Sequence, residues 1–120
     1  MVVLIFDRSK LIPERLISLI SEAKKGAIFY KADTYEKATG LLDELTPQAV
    51  LLDFNFPGNS VIELLRMIRK SNEKTVVIVL FTVADDHKLK LYKEHGADFL
   101  FDKYHEFEKI PSVIATIPAI

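Results

Sequence analysis

The sequence contains no cysteine, which excludes disulfides and cysteine-based metal centres. No stretch approaches 18 consecutive apolar residues, so no membrane span is expected. The opening Met1-Val2-Val3-Leu4-Ile5-Phe6 is apolar but too short for a signal peptide; it lacks a basic leader and ends in Asp7. A surplus of charge is missing as well. Sixteen basic residues face 17 acidic ones, a net charge of −1, which gives no support for a nucleic-acid partner. His87, His95 and His105 are scattered without ligand spacing and read as surface residues. Low-complexity segments, linkers and internal repeats are absent too. These absences leave one cytoplasmic domain over residues 1–120, long enough for a real core. No output domain is expected after Ile120, so output is expected through a partner or self-association unless the chain is a fragment.

What is present is organised around Ala49-Val50-Leu51-Leu52-Asp53-Phe54-Asn55-Phe56-Pro57-Gly58. Four apolar residues run into a carboxylate and then a Pro-Gly turn. Such a run reads as a parallel strand buried on both faces. An ionised Asp53 at its end is costly unless something pairs with it.

The rest of the chain alternates around that strand. Val2–Phe6, 27–32, 75–81 and 98–102 read as further strands. Between them lie helical patterns. Leu11, Ile12, Leu16, Ile17, Leu19 and Ile20 mark the first helix, opened at Ser9 or Lys10 and stopped at Gly26. Asp33-Thr34 caps the second, with Ala38, Leu41, Leu42 and Leu45 on its inner face. Asn59-Ser60 caps the third, with Ile62, Leu64, Leu65 and Ile68 inward and Glu63, Arg66, Arg69 and Lys70 outward. Asp85 or Asp86 caps the fourth, whose thin apolar face is Leu89 and Tyr92; its Lys88, Lys90 and Lys93 form a solvated basic face. Phe107, Ile110, Ile114 and Ile117 mark the fifth, with Pro111 placed at its first position. Five strand–helix units predict an α/β fold: a flavodoxin-like, doubly wound, five-stranded parallel sheet of order 2-1-3-4-5 with five helices.

Ligands bind such sheets at the carboxyl ends of the strands. Four strands end there in reactive side chains: Asp7, Asp53, Thr82 and Lys103. Strands 1 and 3 flank the switch point, so Asp7 and Asp53 are expected close together. Two near carboxylates repel unless a cation or proton lies between them. A hard cation such as Mg²⁺ takes oxygen ligands and keeps several waters. Asp7, Asp53 and the Asn55 backbone carbonyl supply part of such a shell. Thr82 offers a hydroxyl, and Lys103 a point charge suited to a phosphoryl oxygen.

With these residues in this order, the sequence resembles the receiver domain of bacterial two-component response regulators, of the chemotaxis-regulator type, over essentially its full length. The resemblance rests on Asp7, on Asp53-Phe54-Asn55-Phe56-Pro57, on Thr82, on Gly96-Ala97-Asp98 and on Lys103. It implies that Asp53 takes a phosphoryl group from a sensor histidine kinase or phosphotransfer protein, with Mg²⁺ bound. It implies that Thr82 and Lys103 report the event to the face of the fourth helix, fifth strand and fifth helix. A downstream protein or a second copy of the chain, forming a homodimer, would dock there. No enzyme activity is implied beyond self-phosphorylation and dephosphorylation.

The chain departs from the family pattern at several positions. Two adjacent acids usually follow strand 1; here the matching pair is Asp7-Arg8, with Arg8 where the direct metal-ligating acid is expected, or, shifted by one residue, Phe6-Asp7, and either way one carboxylate is missing. That weakens Mg²⁺ binding and allows Arg8 to pair with Asp53. The usual Asp-Gly after the Pro turn is Ser60-Val61, the usual Pro after the lysine is Tyr104, and the aromatic switch position is Leu100, flanked by Phe99 and Phe101. An alternative is therefore a degenerate receiver, in which Arg8 holds Asp53 and the protein binds its partner independently of phosphorylation. An aspartyl phosphatase would want a carboxylate where Asn55 stands. A flavin carrier would want a Ser/Thr/Gly-rich loop where Asp7-Arg8-Ser9-Lys10 stands.

Overall fold

A computed structural model of the chain describes residues 1–57 and 60–118, apart from the side chain of Ser60. The elements are β1 (Val2–Phe6), α1 (Leu11–Ala23), β2 (Ile28–Ala32), α2 (Tyr35–Glu44), β3 (Ala49–Asp53), α3 (Ser60–Ser71), β4 (Val76–Phe81), α4 (Asp86–Glu94), β5 (Phe99–Asp102) and α5 (Lys109–Ala115). The strands form one sheet of order β2-β1-β3-β4-β5, and every pairing is parallel. This is the predicted flavodoxin-like topology.

Alternation along the buried strands explains how both faces are covered. Leu4, Phe6, Val50, Leu52, Val77 and Val79 point to one side, where they pack with buried residues of α2, α3 and α4. Val3, Ile5, Leu51, Ile78 and Leu80 point to the other and meet Leu16, Ile20, Ile110 and Ile114 of α1 and α5. Each fully buried Leu or Ile contributes about 1.5–3 kcal/mol of apolar burial. The two central strands after β1 are nearly all core, so their ends are fixed by the packing below them.

Several local expectations are borne out. Thr34 caps α2 by accepting from the Lys37 N–H. Asp85 caps α4 by accepting from the Lys88 N–H. Gly26 and Gly96 both take positive φ, 82° and 116°, the left-handed conformation that ends helices. The cap expected at Asn59-Ser60 falls outside the described residues.

Other expectations are corrected. Leu11 is 62% exposed; α1 turns its buried stripe to Pro13, Leu16 and Ile20 instead. In α3 the inward residue beside Leu64, Leu65 and Ile68 is Val61, and Ile62 is only half-buried. Pro111 is the third residue of α5, not the first, because the helix begins at Lys109. It is still in the first turn, where its missing N–H has no intrahelical partner to lose. His95 is half-buried, with Nδ1 2.9 Å from the Leu91 carbonyl.

Arg69 is the largest correction. Helical spacing predicts it outward, but its side chain is only 21% exposed. Its guanidinium donates to the carbonyls of Gly96, Glu73 and Thr75. It also pairs with the Asp98 carboxylate at 2.7 Å. Asp98 in turn accepts the Val77 N–H. This network closes the amino ends of β4 and β5.

Candidate functional site

Sheet register builds the site. Phe6 pairs with Leu52, so the next residue on each strand, Asp7 and Asp53, emerges side by side at the carboxyl edge. Phe81 pairs with Asp102, so Thr82 and Lys103 emerge together one strand further on.

Local hydrogen bonds hold each group. The Asp7 N–H donates to Ala32, continuing the β1–β2 ladder. Its Oδ1 accepts the Ser9 N–H at 2.8 Å, and Ser9 Oγ accepts the Ile12 N–H in the first turn of α1. Asp53 Oδ1 accepts the Asn55 N–H at 3.3 Å. The Lys103 N–H donates to Phe81. Its loop is set by the Asp102 carboxylate, which accepts the N–H groups of Tyr104 and His105. Those bonds keep the Asp102 carboxyl below its usual pKa, the Tyr104 N–H being the largest cause. All described peptide bonds are trans, that of Lys103 to Tyr104 among them.

These supports bring three side chains together. Lys103 Nζ lies 3.1 Å from Asp53 Oδ1 and 3.2 Å from Asp7 Oδ2. The three side chains are 9%, 13% and 4% exposed. Burial alone would disfavour the charged lysine and is the largest single influence on it. Asp53 and Asp7 outweigh it together, so the ammonium's pKa is raised. One cation thus answers the repulsion between two buried carboxylates.

Thr82 is placed beside this cluster, half-buried at the end of β4, and among the described residues its hydroxyl makes no hydrogen bond. Arg8 is exposed. The pairing of Arg8 with Asp53 is not found; Lys103 takes that role. Arg8 instead lines two cavities, one with Asp7, Lys10 and Lys37, the other with Asn55, Phe54, Phe56, Lys88 and Tyr92. The second cavity was not expected. Its aromatic wall is Phe54 packed on Tyr92, ring centres 5.1 Å apart, with Lys88 Nζ 5.9 Å over the Phe54 ring. Lys88 is exposed, as expected for the basic face of α4, while its ammonium lies over this ring. Helical spacing alone gave no sign of this, because Phe54 lies in a turn.

The donor set suits a hard cation of modest demand. Mg²⁺ is commonly held by one or two carboxylates with waters and phosphate oxygens completing its shell, and Asp7 and Asp53 converge here. Among the described residues no group of three acids or histidines gathers as a metal centre. No helix among the described residues is long and apolar enough to cross a membrane.

The family model described as the response regulator receiver domain matches residues 3–115. The chain is 33% identical to the transcriptional regulatory protein YdfI of Bacillus subtilis over 95 residues, covering 79% of the chain and 44% of that relative. It is 24% identical to the sensory transduction protein LytT of Oceanobacillus iheyensis over 105 residues, 87% of the chain and 43% of that relative. The chain thus spans less than half the length of these curated relatives. Among solved structures, a two-component response regulator from Clostridium difficile superposes with a TM-score of 0.85 at 19% identity, covering 98% of this chain and 94% of that one. A response regulator from Burkholderia pseudomallei, solved with a phosphorylated aspartic acid, calcium ion and citrate, gives 0.81 at 17% identity, covering 96% and 66%.

Proposed function

The chain belongs to the receiver-domain family of two-component response regulators, and from that premise we propose that Asp53 is its phosphoacceptor. The observation that carries this is the Lys103 ammonium held between the Asp53 and Asp7 carboxylates at the mouth of the sheet. An Asp53 carboxylate oxygen attacks the phosphorus of the donor. The bond from phosphorus to the donor breaks, the leaving group keeps that electron pair, and Asp53 becomes an acyl phosphate. With an acyl phosphate as donor, a carboxylate leaves and no proton need move. Lys103 is the point charge for one phosphoryl oxygen, and the uncommitted Thr82 hydroxyl is a donor for another.

Asp7, Asp53 and the Asn55 carbonyl are the groups that would hold Mg²⁺, with Arg8 lowering its affinity. When bound, the ion neutralises charge on the phosphoryl oxygens. The phosphorylated aspartate and cation of the Burkholderia relative support this reading. The donor protein is a sensor histidine kinase or phosphotransfer protein. The output surface is the face of α4, β5 and α5, serving a downstream protein or a second copy of the chain. β5 is an edge strand, and Phe99 is 37% exposed, its ring 5.6 Å from that of Phe101. The chain's own chemistry is limited to gaining and losing this phosphoryl group. The phosphorylation-independent reading required Arg8 on Asp53, and Asp53 is held by Lys103 instead.

Incubation with acetyl phosphate and Mg²⁺ should add one phosphoryl group to the intact mass. Asp53→Asn should abolish it. Undiminished labelling of Asp53→Asn, or none of the unaltered protein, would contradict the assignment.

A further inference from the structure

Arg8 directly follows Asp7, whose carboxylate shares one ammonium with Asp53. Its own side chain is exposed, and it has no ion pair among the described residues. It borders a cavity of about 430 Å³ that reaches Asn55, the residue whose N–H is bonded to the Asp53 carboxylate. The only charged side chains lining that cavity among the described residues are Arg8 and Lys88; no carboxylate faces it. This cavity, next to Asp53 through Asn55, is cationic with an aromatic wall, while Arg8 also borders a second cavity lined by Asp7, Glu14 and Asp33.

Formal charge gives this arrangement a consequence. Before any reaction, Asp7 and Asp53 are balanced by Lys103 and Arg8. Converting the Asp53 carboxylate to an acyl phosphate with roughly two negative charges leaves a single surplus. With an acid at position 8 the surplus would be three, which calls for a divalent ion. A guanidinium is permanently charged, weakly hydrated and presents a planar fork of donors that matches phosphoryl oxygens. We propose that Arg8 is the phosphoryl-binding cation of this site, so that Asp53 accepts a phosphoryl group with little dependence on a divalent metal. This rests on Asp53 being the phosphoacceptor and adds what neutralises the product.

The test compares the full chain with Arg8→Asp and Arg8→Gln, each with EDTA and with Mg²⁺. Intact mass reports labelling by acetyl phosphate, and backbone amide NMR reports binding of beryllofluoride, a phosphoryl mimic. Unaltered protein should label in EDTA within about threefold of its rate in Mg²⁺, and Arg8→Gln should lose about tenfold in EDTA. Arg8→Asp should lose as much in EDTA, recover in Mg²⁺, and bind Mg²⁺ about tenfold more tightly when amide shifts at Asp7 and Asn55 are titrated. Arg8 is exposed, so Arg8→Gln should melt like the unaltered protein. If labelling and beryllofluoride binding of the unaltered protein collapse in EDTA and return with Mg²⁺, the role of Arg8 is wrong and that of Asp53 stands. Absence of labelling in both conditions sinks both.

Discussion

The two ends of the sheet carry polar clusters of opposite character. At the amino ends of β4 and β5, Arg69 is spent: its donors reach three carbonyls and a carboxylate. Nearby, Thr75 is buried and its hydroxyl donates to Pro47. At the carboxyl ends, one ammonium serves two carboxylates, the Thr82 hydroxyl is uncommitted, and Arg8 points into open cavities. A closed network stabilises; an open one can accept a ligand. Of the strands between, β1, β3 and β4 are core on both faces, so their packing holds the unfinished cluster in place.

Lys103→Met should break the contrast most. It leaves Asp7 and Asp53 buried without their cation, a loss of about 3 kcal/mol in urea unfolding at neutral pH. Added Mg²⁺ should restore more stability to this variant than to the unaltered protein. Because the folded pKa of Lys103 is raised above its ordinary 10.5, the contribution is complete below pH 10.5 and fades as pH rises through the higher folded value. The variant should therefore lack that alkaline loss.

Arg69→Met should cost about 2 kcal/mol, through carbonyls left unanswered, yet leave the rate of Asp53 labelling unchanged in the folded protein. An equal loss of labelling would mean that the two ends are coupled rather than independent.

Gly96→Ala sharpens the same point on a smaller scale. Gly96 has φ of 116°, and an added Cβ would lie 2.7 Å from Cγ and Nε of Arg69. The substitution should cost about 1–2 kcal/mol by thermal or urea unfolding. Part of that cost should disappear in the Arg69→Met background, where the crowded side chain is more yielding.

Much of this was legible beforehand, for physical reasons. Short, continuous, β-branched apolar runs such as Val76–Phe81 read as buried strands, and their alternation with capped helices pointed to a parallel sheet. Asp7, Asp53 and Lys103 were legible because strand ends in parallel sheets converge. Side-chain partnerships were not. Periodicity assigns Arg69 outward because it sees an arginine among Arg66 and Lys70; the turn at Gly96 and the loop at Glu73 and Thr75 bring carbonyls to it. Likewise Arg8 and Lys103 compete for Asp53, and sequence cannot weigh an exposed loop arginine against a lysine whose backbone is bonded to Phe81. Pro111 entered the helix two residues deeper than expected, since α5 starts at Lys109.

The central claim is that Asp53 carries the phosphoryl group. Borohydride reduces an aspartyl phosphate to homoserine, which peptide mass spectrometry can locate. After treatment with acetyl phosphate, homoserine should appear at position 53 and nowhere else. Homoserine at Asp7 or another acid, or none while the intact mass shows a phosphoryl adduct, would contradict the account.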